Sequence, residues 1–598
     1  MQSLTTLFRT ALLLLVTGLA ACQPMESLRG DPGAAAEERA ERLAGRGDPA
    51  GAARAFEEAA AATPLPRANG LWLRAAGAWA TAAQPDAAER ALGRLVPPLP
   101  AAEAGEQARI SAEIALARNE PRRALALLDQ AAAGPDAAQL ATRARAQFAL
   151  GQVPAAVATL GGREHLLPSG QSRLDNQRLI LDSLSAASRR GADLRIPAGS
   201  DPLVAGWMEL GRINADATTM AAGAGSRLQD WRRRYPAHPA NDGIWNDLVG
   251  RYTVAIEPGS RVALLLPLTG RGGEAGRMVR DGFLAAYYEQ PEGTRPTVAL
   301  YDVSAGDAGS AYLKAVAEGA SLVIGPLTRG DVSDVAAMAE GRATTVALNF
   351  LPDGSRSPSR FYQFALSPED EARLAARRAL ADGRTSGVAL GPANEWGQRV
   401  LNAFAEEFAA IGGSLLGRRV YAPGTTDYKV ILTELLGIRP TAAGGVAPRP
   451  DLGFVFVAGQ PVDGRLIRTQ LRFNYAGSLP VYSTSDVYEP GGRGNADLDG
   501  VLLPEMPWVL EGGGPVAILR EQADQLWPRR TPSRDRLFAF GYDAYAIGAE
   551  LTRRRSPFAT PVPGLTGRLD LGADGRIHRQ LDFARVSGGR LEPLPGGP

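Results

Sequence analysis

The sequence predicts a chain of class α plus α/β: an all-helical repeat region followed by a two-lobed, doubly wound α/β region. Three observations carry this. The chain has 598 residues, too many for one hydrophobic core. Positions 47, 83, 119 and 151 interrupt an alanine-rich helical pattern at intervals of 36, 36 and 32 residues, a period that fits one helical hairpin per repeat. From Arg261 onward, short apolar runs alternate with helical segments, and the alternation begins again after Phe361. Apolar runs bounded by turn residues read as strands buried on both faces of a parallel sheet, and two such series predict two lobes.

Composition narrows the function. Apolar content is 45% and charge is 22%, ordinary for a globular protein. A net charge of +1 argues against a nucleic-acid partner, because such domains carry a strongly basic face. Lysine occurs only at Lys314 and Lys429; with so much alanine and glycine, this reads as a compositional bias. A single cysteine, Cys22, allows no disulfide within the chain and no cysteine-based zinc site. The histidines His165, His238 and His578 are far apart and lack ligand spacing. No metal, cofactor or catalytic histidine is expected.

The N-terminus reads as an address. One early charge, Arg9, precedes an apolar core, Ala11–Val16, and then small residues. This is the shape of a secretory signal over residues 1–21, too short to span a bilayer. Leu19-Ala20-Ala21-Cys22 resembles the lipobox of bacterial lipoproteins. By that resemblance Cys22 becomes the first mature residue and is acylated. Several acyl chains give stable anchoring where one is marginal. Gln23, rather than Asp, follows the cysteine; by resemblance to enterobacterial sorting this implies the periplasmic face of the outer membrane. Residues 22–36 have little to pack and read as a lipidated tether.

Residues 37–255 are expected to be helical. Gly47, Ala52, Phe56, Ala59 and Pro64 lie at the offsets of the second helix of a tetratricopeptide repeat. Trp72, Ala76, Trp79, Ala83, Ala88, Leu92, Leu95 and Pro100 match both helices of the next. Asn119, Ala124, Leu128 and Ala131 mark a third, and Gly151, Ala156 and Leu160 a fourth. Residues 163–255 keep helical spacing at Leu179–Ala187 and Leu203–Ile213 but lose the repeat, and a helix ends at Tyr235-Pro236. Stacked helical pairs form extended surfaces suited to protein partners.

Residues 258–598 carry the α/β pattern. Buried strands are expected at Val262–Leu266, Thr297–Asp302, Ser321–Ile324 and Thr344–Asn349, with helices at Gly276–Tyr288, Gly309–Glu318 and Gly330–Glu340. Phe361–Leu366 leads into a second series with strands Gly387–Leu390, Ser414–Tyr421, Phe454–Ala458 and Pro480–Thr484. Val501–Leu510 precedes helices at Ala517–Trp527 and Leu537–Thr552. The tail from Leu565 to Leu594 alternates apolar and polar residues around Gly572–Gly575 and reads as a terminal hairpin or short sheet. Gly270-x-Gly272-x-x-Ala275 is a loose dinucleotide fingerprint; its acidic ribose partner is missing at the required place, so the glycines read as turn residues. Asp281, Asp302, Asp331, Asp427 and Asp486 could be paired on paper as acid and base, but loop and cap aspartates are common in this architecture.

Two α/β series with short crossings look like a type I periplasmic binding protein. More specifically, RVALLLPLTG, AGRMVRDGFLAAYY, VIGPLTRGDV, VALNF, NYAGSLPVYSTSDVYE, LDGVLLPEMPWVL and FAFGYDAYAIG together resemble the LpoA family, outer-membrane lipoprotein activators of class A penicillin-binding proteins. The resemblance implies a non-enzymatic protein that reaches a peptidoglycan synthase from the outer membrane and stimulates cross-linking. The alternative is a lipid-anchored solute-binding protein for amino-acid-like ligands, which the fold alone would permit. For that reading, resemblance to amino-acid binders points to Thr269, Gly270, Thr328 and Asn349 in one lobe, with Ser485 and Asp486 nearby. Each of the six can equally serve as a helix cap or turn residue. A third reading is a ligand-gated activator, in which cleft closure alters the synthase contact.

Overall fold

A computed structural model describes residues 32–130, 134–440, 446–473, 476–510, 512–527, 535–553, 558 and 560–595. The signal peptide, Cys22, most of the tether and Ala131 lie outside the described residues. The chain forms two compact units, Met1–Asn176 and Gln177–Pro598.

In the first unit, α1 (Pro32–Gly45), α2 (Pro49–Ala62), α3 (Arg67–Thr81), α4 (Pro85–Leu92), α5 (Ala101–Ala117), α6 (Pro121–Asp129), α7 (Ala137–Ala149) and α8 (Val153–Arg163) make four hairpins among the described residues. All four breaks read from the sequence take the left-handed backbone: Gly47 at φ 77°, Ala83 at 55°, Asn119 at 60° and Gly151 at 73°. A tight reversal between antiparallel helices needs one residue there. Two or three residues later a proline opens the second helix of each pair: Pro49, Pro85, Pro121 and Pro154. Proline suits that first turn because its missing N–H would have no partner there. Ala52, Ala59, Ala76 and Ala88 are buried and let the helices approach, while Phe56 and Trp79 fill the space between hairpins. Ala36 and Ala40 join the same core, so residues 32–36 belong to the first hairpin rather than to the tether.

The second unit begins within α9 (Gly170–Arg189) and continues through α10 (Pro202–Thr219), α11 (Ala224–Arg234) and α12 (Ile244–Tyr252). The sequence puts the domain boundary at 255–258; the packing puts it at 176/177. The reason is a set of contacts that sequence periodicity does not register. Met220, Ala222 and Ile256 share a core with the first α/β strand. Gly223 N–H donates to Glu289 (2.9 Å), Gln229 to the Glu289 carbonyl (2.7 Å), and the Gln290 side chain pairs with both N–H and C=O of Ile256.

The strands are β1 (Arg261–Leu266), β2 (Thr297–Asp302), β3 (Leu322–Ile324), β4 (Thr344–Ala347), β5 (Phe361–Phe364), β6 (Ser386–Pro392), β7 (Ser414–Tyr421), β8 (Arg439–Pro440), β9 (Val446–Ala447), β10 (Val455–Val457), β11 (Val481–Ser483), β12 (Val501–Glu505), β13 (Val562–Gly564), β14 (Gly567–Leu571), β15 (Arg576–Gln580), β16 (Asp582–Ser587) and β17 (Arg590–Pro593). Among the described residues the first sheet has the order β13-β14-β15-β5-β4-β3-β1-β2 and the second β17-β16-β12-β11-β10-β6-β7, while β8 and β9 form a separate pair. Pairing is parallel from β2 to β15 and from β7 to β12. The remaining helices are α13 (Gly273–Glu289), α14 (Ala308–Ala317), α15 (Arg329–Ala339), α16 (Pro368–Ala381), α17 (Glu395–Ala410), α18 (Lys429–Leu436), α19 (Pro461–Phe473), α20 (Pro507–Leu510), α21 (Gly514–Leu526) and α22 (Asp535–Arg553).

The period of two in β1 shows why helices cover both faces. Val262, Leu264 and Leu266 face α13 and α22, while Ala263 and Leu265 face the core of α14 and α15. In the second sheet Val388 and Leu390 face α18 and α19, and Ala389 faces α16 and α17. Helices on both faces of a largely parallel sheet, twice over, make the two-lobed, type I periplasmic-binding-protein-like fold.

Three strand readings need correction. β2 is an edge strand rather than a buried one, and Leu300 on it is 45% exposed. Phe361–Phe364 does not open the second series; it is β5, inside the first sheet. The tail from Leu565 to Leu594 is neither a terminal hairpin nor a short sheet of its own: β14 and β15 join the first sheet and β16 and β17 the second. Among the described residues the chain therefore passes between lobes three times: through α16, between β12 and β13, and at Leu581 between β15 and β16.

Candidate functional site

In doubly wound sheets ligands meet the loops that follow the carboxyl ends of the strands, and all six predicted residues lie in such loops. Thr269 follows β1, where its N–H donates to Ser304 Oγ (3.0 Å) and its hydroxyl to Asp302 (3.0 Å). Asp302 also accepts from Leu268 N–H (2.9 Å) and from Ser304 through both N–H and hydroxyl. The Ser304 hydroxyl, followed by the Leu268 N–H, holds this carboxyl down at about 2. Gly270 adopts φ 62° and a Cβ there would meet nothing within 4 Å, so the turn needs the glycine and no ligand approach does. Thr328 caps α15 through Asp331 N–H and donates to the Asp331 carboxylate (2.6 Å). Asn349 donates to the Leu327 carbonyl (3.0 Å) and accepts from Phe350 N–H (3.0 Å), tying the loop after β4 to the loop after β3. These four residues serve the capping and turn roles.

Ser485 and Asp486 follow β11 and sit in a different environment. Ser485 N–H donates to Glu371 (2.8 Å), and its carbonyl accepts from Arg536 (3.1 Å). Burial, then the Glu371 charge, pushes the Asp486 carboxyl up to about 6, with Arg536 and the Thr484 hydroxyl acting against them. Arg536 also donates to the Tyr488 carbonyl (3.1 Å) and forms a forked pair with Glu505. Arg579 pairs with Glu371 at 3.1 Å, the two side chains being 4% and 6% exposed. Sequence reading missed Glu371, Glu505, Arg536 and Arg579. Glu371 did leave one signal: it stands four residues before Ala375 and eight before Ala379, a charge in the apolar stripe of α16.

Beside this network a cavity of about 210 Å³ opens between the first-lobe loop 350–353 and helices α16 and α17. Its arginines are all engaged. Arg329 and Arg399 share Glu369 (3.2 and 2.7 Å), Arg373 holds Asp370 (2.7 Å), and Arg576 holds Asp353 (3.0 Å) and lies over Phe350. Burial pushes the Glu369 carboxyl up, but the Arg399 bond and the Arg329 and Arg399 charges bring it below its ordinary value. Four arginines face four acids in the lining, so there is no net charge to attract an ionic ligand.

The remaining aspartates are also tied up locally. Asp281 pairs with Arg280 (2.7 Å) and Asp427 accepts from Lys429 N–H (2.9 Å). Among the described residues no group of three or more His, Cys, Asp or Glu could hold a metal ion, and no helix is long and apolar enough to cross a membrane.

The chain belongs to the LppC putative lipoprotein family, which it matches over residues 49–589. It is 25% identical over 449 residues to the penicillin-binding protein activator LpoA of Photobacterium profundum, covering 72% of each chain. It is 25% identical over 504 residues to the activator of the same name from Yersinia pseudotuberculosis, covering 72% of this chain and 75% of that one. For the Vibrio cholerae activator the figures are 25% over 404 residues, 63% and 65%. Among solved structures, full-length LpoA from Haemophilus influenzae aligns with a TM-score of 0.47 at 22% identity, covering 91% of this chain and 98% of that one. A putative branched-chain amino acid ABC transporter protein from Chromobacterium violaceum aligns at 0.44 and 28%, covering 55% and 99%.

Proposed function

We propose that this chain is a non-enzymatic activator of a class A penicillin-binding protein, anchored through Cys22 to the periplasmic face of the outer membrane. The observation that carries the reading is the kinship over 404 to 504 residues with proteins named as penicillin-binding protein activators. The architecture supports it. Stacked helical hairpins suit contact with a protein, and four of the six groups that would hold an amino acid in a transport receptor, Thr269, Gly270, Thr328 and Asn349, cap helices or serve turns instead. The decisive experiment uses residues 23–598 and a class A penicillin-binding protein from the same organism. The soluble chain captures the synthase and raises the cross-linked fraction of its product. Failure of both, together with calorimetric binding of an amino acid, would establish the solute-binding alternative. A Cys22→Ser variant moves from the membrane to the soluble fraction; unchanged fractionation would refute the anchor.

A further inference from the structure

Each of the three crossings between the lobes carries a charged group near its end. Glu371 lies in α16 on the first crossing, and Glu505 is the last residue of β12 before the second. Arg579 stands one residue before the end of β15, at the third. These groups are linked across the lobe boundary, Glu505 through Arg536 and Ser485. Arg579 of the first lobe pairs with Glu371 of the second at 3.1 Å. Glu371 receives Ser485 N–H at 2.8 Å, and the Ser485 carbonyl receives Arg536. Arg536, at the start of first-lobe helix α22, pairs with second-lobe Glu505, whose side chain is 1% exposed. The run of bonds from Arg579 to Glu505 thus joins all three crossings. It reaches deeper into the first lobe through Thr566, whose carbonyl faces Arg579 (3.5 Å) and whose hydroxyl and N–H bind buried Asp543 (2.6 and 2.7 Å).

Hinge closure requires backbone rotation at the few residues that cross between lobes. Rotation at any of these crossings would pull a buried charge from its partner, and an unpaired buried charge is strongly unfavourable. We propose that this network is a lock that makes the two lobes one rigid body, so that the binding-protein-like unit does not open and close. This goes beyond the activator reading: the unit presents a fixed surface, and cleft closure is not its signal.

Pulsed electron–electron resonance tests the lock on residues 23–598, which lack the chain's one cysteine. Spin labels at Leu300→Cys on β2 and Val420→Cys on β7, both exposed edge positions, report the distance between lobes. Labels at Leu300→Cys and Met338→Cys on α15 report within the first lobe. The unaltered chain gives one narrow inter-lobe distance, as narrow as the control and unmoved by excess amino acids. Arg536→Met replaces the single narrow inter-lobe population by a broad one and leaves the control narrow. If Arg536→Met unfolds, the control broadens as well, and the paired variant Glu505→Met with Arg536→Met, which leaves neither charge of that pair behind, is measured instead. Two inter-lobe populations in the unaltered chain, or a narrow distance in the folded variant, would overturn the proposal.

Discussion

Gly282 on α13 and Gly541 on α22 face each other's backbones where the two helices cross. A Cβ at Gly282 would lie 1.8 Å from the Phe538 carbonyl oxygen and 3.0 Å from Tyr542 N, and one at Gly541 would lie 1.9 Å from the Val279 carbonyl oxygen. Ordinary contact begins at 3.4 Å, so Gly282→Ala must push the helices apart by about 1.5 Å, and overpacking of this kind costs roughly 1–3 kcal/mol. The obstacle is a carbonyl, which cannot rotate aside as a side chain can, so the cost falls at the upper end. Separation would also open the edge-to-face packing of buried Phe283 on Tyr545, whose centroids are 5.1 Å apart. Alanine's better helix propensity returns about 1 kcal/mol, leaving a net loss of about 2 kcal/mol. Gly330→Ala on α15 is the control: its Cβ would meet nothing within 4 Å, and propensity alone predicts a gain of up to about 1 kcal/mol. Adding Gly541→Ala to Gly282→Ala costs less than the sum of the two, because one separation relieves both clashes. Pulse proteolysis across a urea series, following the C-terminal unit, reads all four variants. A Gly282→Ala midpoint at or above that of the unaltered chain, or strict additivity in the double variant, would show that the helices do not cross at contact distance.

Two further outcomes follow from single residues. Ala83 holds φ 55° where the hairpins before and two after it use Gly47 and Gly151, and the left-handed backbone costs a residue with a Cβ about 1–2 kcal/mol. Ala83→Gly therefore raises the stability of the first unit by about 1 kcal/mol and Gly47→Ala lowers it by a similar amount, measured by hydrogen exchange of peptides in α3 and α4. Burial pushes the Glu289 carboxyl from 4.5 up to about 7, against the Tyr542 hydroxyl and the Gly223 and Gly225 N–H groups. The folded chain thus holds this proton more tightly than the unfolded one. Its contribution is complete below pH 4.5 and is lost as pH rises through about 7, a change of about 3 kcal/mol at 1.36 kcal/mol per unit. Glu289→Gln keeps an oxygen acceptor and removes that loss, so the stability difference between variant and unaltered chain grows in the variant's favour from pH 5 to pH 8; a difference independent of pH would refute the assignment.

What was legible in the sequence was local. Gly47, Ala83, Asn119 and Gly151 announced the hairpins because one break per helical pair recurs at intervals of 36, 36 and 32 residues. Strands β1, β3 and β4 announced themselves because burial on both faces demands an unbroken apolar run. β2 misled because a half-exposed edge strand with Val298 and Leu300 reads like a buried one. The boundary at 255–258 misled for a different reason: periodicity detects the end of a helix pattern, whereas the division at 176/177 depends on which neighbour those helices pack against. Glu289 and Gln290 decide that, reaching Gly223 and Ile256 from 66 and 34 residues away.

The candidate site shows the same limit more sharply. Resemblance to amino-acid binders points to Thr269, Thr328 and Asn349, which stand in loops after strands, and that position alone does not separate a ligand contact from a cap. Glu371, Glu505, Arg536 and Arg579 are spread over more than 200 residues; Arg579 meets Glu371 at a separation of 208. Each alone resembles an ordinary surface charge, and only assembly of both sheets makes it a buried partner. The family motifs point the same way. In AGRMVRDGF and FAFGYDAYAIG the glycines serve packing: a Cβ at Gly276 would lie 1.7 Å from the Pro267 carbonyl oxygen, and Gly282 and Gly541 seat α13 on α22. Packing of this kind, together with an ionic network across the crossings, fixes the geometry of a two-lobed scaffold. A receptor that must close on a solute needs the opposite, hinges free of buried charge.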